Sequence, residues 1–84
     1  MANATIEPPK MLANGAEVFA YHHQHDGGNG YRPHGIVICK WREGEWVTWR
    51  AYRTEDGVWQ AEQGRYFFDP AEAMDDFKDR AGIS

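Results

Sequence analysis

An antiparallel β-sheet of four to five strands in meander order, with one C-terminal α-helix packed on one face, is the α+β architecture this sequence predicts. Stretches rich in β-branched and aromatic residues alternate with glycine-centred turn signals over most of the chain. A single capped segment of helical periodicity follows them. Four Trp, four Tyr and four Phe in 84 residues supply the apolar area that a chain this short needs for a core.

Residues 1–14 have little pattern, and Pro8 and Pro9 keep the backbone extended. They read as a flexible or surface-draped arm ahead of a single domain over 15–84, with Asn14-Gly15 as the turn between them. Residues 17–23 (EVFAYHH) form the first expected strand. Asp26-Gly27-Gly28-Asn29-Gly30 then breaks regular structure and is the longest loop. Residues 36–42 (IVICKWR) are apolar on both faces in their first half, as a central strand would be. Glu43-Gly44 is a turn, 45–54 (EWVTWRAYRT) the next strand, and Asp56-Gly57 a hairpin turn. Residues 58–62 return, Gln63-Gly64 turns again, and 65–68 (RYFF) add a short last strand.

The helix is the most strongly marked element. Asp69 is its N-cap, Pro70 fits the first helical position, and Glu72 completes a capping-box-like start. Ala73, Met74, Phe77 and Ala81 recur on one face, and Gly82 is the C-cap. Glu72, Asp75, Asp76 and Asp79 face away from the apolar side or sit beside it.

If Glu43-Gly44 and Asp56-Gly57 are both two-residue loops, Val37, Cys39, Trp41, Trp46, Thr48, Arg50, Tyr52, Thr54 and Trp59 share one face. Ile36, Ile38, Lys40, Val47, Trp49, Ala51, Arg53 and Val58 share the other, which is more aliphatic and is where the helix belongs. A slip of one residue in either loop exchanges these sets. One helix cannot cover two faces. Trp41, Trp46, Tyr52 and Trp59 around Arg50 are therefore either packed under the arm or exposed as an interaction patch of hot-spot residue types.

The formal net charge is −4. Five bases and five acids cancel between Lys40 and Arg65, whereas Asp69 to Arg80 holds five acids against two bases. The acidic balance makes nucleic acid an unlikely partner, although Trp41, Trp46, Tyr52, Trp59 and Arg50 could stack single-stranded bases. Cys39 is the only cysteine, so no intrachain disulfide forms and a cytoplasmic setting is expected. No apolar run is long enough to span a bilayer, and no secretory signal is read at the start.

His22, His23, His25 and His34 cluster near Asp26. On a regular strand His23 and His25 point the same way and could share a metal with His34 or Asp26. The spacing matches no closed metal site, and a solvated strand end explains it as well. The glycine loop lacks the ending of a P-loop and leads to no helix, so it is not a nucleotide site. Cys39, mid-strand among apolar residues, is expected to be structural unless a first-strand histidine approaches it. No cofactor and no catalytic residue is expected. The chain is similar in size, acidity and aromatic content to the small accessory proteins of bacteriophages and other mobile elements, many of which bind and block a host protein. That likeness implies an inhibitor-like interaction module and transfers no residues. The expected partner is another protein or a second copy, met through Trp41, Trp46, Arg50, Tyr52 and Trp59 or through Asp75, Asp76 and Asp79. The alternatives are a single-strand nucleic-acid binder and a small metal protein or enzyme using the histidines.

Overall fold

The computed structural model describes residues 7–83. Strands β1 (Glu17–His25), β2 (His34–Lys40), β3 (Trp46–Arg53) and β4 (Trp59–Phe67) form one antiparallel sheet in the order β1-β2-β3-β4. Helix α1 (Pro70–Ala81) follows directly. The expected fold class is the one observed.

The helix caps form where the sequence places them. The Asp69 carboxylate accepts from the Ala71 amide at 2.9 Å, and Gly82 takes the left-handed conformation at φ 77° that ends the helix. The last strand differs from expectation. Gln63-Gly64 is not a turn that starts a fifth strand but a bulge inside β4, with Gln63 at φ 54°. Two residues there oppose the single residue Trp49, and pairing resumes beyond it with Thr48 opposite Arg65. A side chain on Gly64 would come within 2.5 Å of Trp49 Nε1, so the bulge lets the indole lie against bare backbone.

The face assignment is corrected at β3. The turn at Glu43-Gly44 forms, with φ of 44° and 82°, and the Arg42 carbonyl accepts from the Glu45 amide at 2.8 Å. The ladder, however, resumes with the Trp41 amide donating to the Glu45 carbonyl at 2.8 Å, which leaves Arg42 as an extra residue on one side. Lys40 therefore pairs with Trp46, and Val37 pairs with Trp49. The second hairpin also slips by one residue. The Thr54 carbonyl accepts from Gly57 at 2.9 Å, and the Thr54 amide donates to Val58 at 2.8 Å, so Glu55, Asp56 and Gly57 all lie in the loop. The two slips cancel for the first half of β4 but not for β3. Trp59 stays with Val37, Cys39 and Trp41, whereas Trp46, Thr48, Arg50 and Tyr52 move to the face of Ile36 and Ile38.

Two cores result. On the helix side Ile36 and Ile38 meet Ala73, Phe77 and Ala81, with Ala20, Trp46, Phe67 and Met74 around them. This is the aliphatic face to which the helix was assigned. On the other side Val37, Cys39, Val47, Trp49, Ala51 and Trp59 are buried under Leu12 and Ala16. The cover is the segment before β1. It folds back as a small hairpin, with Val18 donating to the Lys10 carbonyl at 3.0 Å, Leu12 to Ala16 at 3.0 Å, and Ala13 to Trp59 at 2.8 Å. Tyr21 and Trp59, from the two outermost strands, meet edge to face at 5.2 Å above this core.

Gly35 lies under that contact. A methyl there would run into the His22 carbonyl oxygen and come within 2.7 Å of the Tyr21 ring. Gly35→Ala should therefore destabilise the domain by about 3 kcal/mol, because neither β1 nor the packed ring can yield cheaply. Urea titration followed by Trp fluorescence checks this, and an unchanged midpoint would refute it.

Candidate functional site

The helix is fastened to the sheet by a polar network as well as by Phe77. Thr48, fully buried at mid-strand, donates its hydroxyl to Asp76 Oδ2 at 2.6 Å and accepts from Arg80 Nη1 at 3.2 Å. Arg80 also donates to the Thr48 carbonyl at 3.1 Å, and Arg65 donates to Asp76 Oδ1 at 2.8 Å. Burial raises the Asp76 carboxyl, but hydrogen bonds from Thr48 and Arg65 and the charges of Arg65 and Arg80 outweigh it and hold the group below the ordinary carboxylate range. Asp76 therefore turns toward the sheet rather than outward, unlike Asp75 and Asp79, which are exposed.

The helix stops short of one end of its face. Its last turn is tied to the end of β1 by Gln24, whose side chain donates to the Arg80 carbonyl at 3.2 Å. Beyond that point the sheet surface and the glycine-rich loop enclose an open cleft of about 190 Å³, lined by Gly30, Tyr31, Arg32, His34, Arg50, Tyr52 and Glu62. A second depression, about 400 Å³, adjoins it on the other side of Arg32 and is bordered by Pro33, Arg53, Thr54 and Glu55. The loop is shaped for this. Gly27, Gly28, Asn29 and Gly30 all take positive φ, and paired bonds of 2.9 Å between Gly28 and Tyr31 close a tight turn that presents the Tyr31 ring. Tyr31 packs on His25 at 5.3 Å, and His25 stacks in parallel on His34 at 5.3 Å. His34 Nδ1 is 3.0 Å from the Arg32 carbonyl, which steadies the ring beside the cleft.

Arg50 and Tyr52 thus stand at this cleft, and Trp46 is on the same face at the other end of the helix. Trp41 and Trp59 are on the opposite face, and Trp59 is only 6% exposed. The five residues do not assemble into one aromatic patch. The stacking platform expected of a single-strand binder is divided in the same way. Tyr31 and Arg32 had no sequence signal beyond following a glycine loop. Trp49, buried at 5% exposure, was placed on the helix face only because of the register slip.

The histidines are separated by a bulge in β1 between His23 and His25. His23 faces the side of Tyr21, and His25 pairs with His34 on the helix side. His23 Nδ1 lies 2.6 Å from the Tyr21 hydroxyl and its Nε2 lies 2.6 Å from Asp26 Oδ1. Burial, followed by the charge of Asp26, pushes the Tyr21 phenol up to about 12, so it acts as a donor to this chain of bonds and not as a phenolate. The chain pins the first residue of the glycine loop to β1. Among the described residues, no group of three or more His, Cys, Asp or Glu side chains is placed to hold a metal ion. Cys39 pairs with Val18 and Val47 rather than with a histidine, and burial pushes its thiol up to about 12, far from the thiolate that nucleophilic chemistry needs.

Comparison with known proteins finds no family model, no curated protein and no solved structure that matches this chain. Among the described residues, no helix is long and apolar enough to cross a membrane.

Proposed function

We propose that the protein is a small non-enzymatic interaction module that works in the cytoplasm by binding and modulating another protein. The observation that carries this reading is the cleft at the uncovered end of the helix-bearing face. It gathers Tyr31, Tyr52, Arg32 and Arg50, the residue types that dominate binding energy at protein interfaces, around a concave surface on a rigid sheet. Two of them, Arg50 and Tyr52, belong to the set singled out from the sequence. The exposed acids Asp75 and Asp79 lie on the helix packed against the same face.

The test uses exposed positions that the core does not need. Tyr31 is 63% exposed, so Tyr31→Ala and Arg32→Ala should leave thermal stability within about 0.5 kcal/mol of the parent. Each should weaken capture of a partner from cognate lysate, with the recovered protein identified and its affinity then measured by calorimetry. A loss of about tenfold is expected for each variant. Capture of the same partner at unchanged affinity by the double variant would overturn this surface.

A further inference from the structure

We propose that the cleft seats a carboxylate from an acidic segment of the partner, held by Arg50 and Arg32 between the rings of Tyr31 and Tyr52; this rests on the interaction reading above. Arg50 is the central group. Its Nε lies 3.7 Å from Glu62, too far for a hydrogen bond, and its terminal nitrogens have no protein partner among the described residues. Two parallel donors on a planar guanidinium match a carboxylate edge to edge. Arg32 lines both depressions and has no acidic partner among the described residues. The lining of the cleft carries two arginines against one carboxylate, Glu62.

About 190 Å³ seats one or two side chains of a bound segment. A nucleic-acid strand needs a basic track along its successive phosphates, whereas the cleft offers two arginines beside Glu62. A carboxylate needs only one guanidinium fork. Glu62 is the built-in competitor. It lies at Nε of Arg50 and partly occupies the charge that a ligand would use, which predicts tighter binding when its charge is removed.

The probe is a blocked acidic peptide, DEFDE, compared with its amide counterpart NQFNQ, with inorganic phosphate and with an oligothymidylate. Binding is followed by backbone amide NMR shifts of the full chain. With DEFDE, shifts should concentrate at Gly30–His34 and Arg50–Tyr52, weaken with added salt, and be absent with NQFNQ. Arg50→Gln should weaken binding by about tenfold, and Glu62→Gln should tighten it by about threefold. Equal binding of NQFNQ, tighter binding of the oligothymidylate, full competition by equimolar phosphate, or no effect of either variant would each overturn the acidic-segment assignment. If DEFDE fails to bind while Tyr31→Ala still weakens capture of the partner, the interaction reading stands and only the acidic chemistry falls. If Arg50→Gln does not fold, Arg32→Gln and Glu62→Gln read the same proposal with opposite signs.

Discussion

Replacing Asp76 by alanine should cost the domain about 3 kcal/mol and lower its melting temperature by on the order of 15 °C. The side chain is only 14% exposed, accepts from Thr48 and Arg65, and lies in the field of Arg80. Its removal leaves the buried Thr48 hydroxyl without its acceptor and the half-buried Arg80 without its counter-charge. Arg65 contributes less, because its side chain is 57% exposed and water screens it. Thr48→Val and the double variant complete a cycle, and a coupling near zero would show that the network is incidental to helix docking. The same carboxylate predicts a pH dependence. Its folded-state pKa is depressed, so its contribution is complete above the unfolded-state value of about 3.9 and is lost as pH falls through the lower folded value. Between about pH 5 and about pH 2, the parent should lose more stability than Asp76→Asn does. Parallel curves for the two proteins would count against the shift.

Leu12→Ala should also cost about 3 kcal/mol, although it lies in a stretch with no strand or helix of its own. Leu12 is 3% exposed and closes the core that holds Trp49 and Trp59. The neighbouring Met11 is 58% exposed and provides the control, since Met11→Ala should fall within about 0.5 kcal/mol of the parent. Chemical denaturation read by Trp fluorescence compares the two directly. Equal effects would mean that the segment covers the sheet without filling it.

The helix was legible to the residue because its signals are local. Asp69, Pro70 and Gly82 each act through the backbone within a few positions. The strands were legible as elements but not in their ends. β4 looked like two strands because Gln63-Gly64 has the composition of a turn, and only the need to accommodate Trp49 across the ladder makes it a bulge. The faces were not legible, because one unpaired residue, Arg42, decides on which side Trp46, Arg50 and Tyr52 emerge. No propensity separates a two-residue turn from the same turn beside a bulge. The cleft was half visible for the same reason. Arg50 and Tyr52 could be picked as exposed hot-spot types, but Tyr31, Arg32 and His34 reach them only through the path of the glycine loop. Leu12 was hidden behind Pro8 and Pro9, which argue against secondary structure yet leave burial open.

The docking of the early segment on Trp59 also governs when the protein can fold. Ala13 is made well before its hydrogen-bond partner Trp59 and the helix that covers Ile38. Each core joins chain segments from distant parts of the sequence, so loop closure must precede any reward. A nascent chain released before β4 would expose Trp49 and its apolar neighbours on both sides of an unfinished sheet. Such fragments are substrates for proteases and seeds for aggregation. Stability in the cell is therefore expected to arrive in a single step, once β4 and the helix have been made.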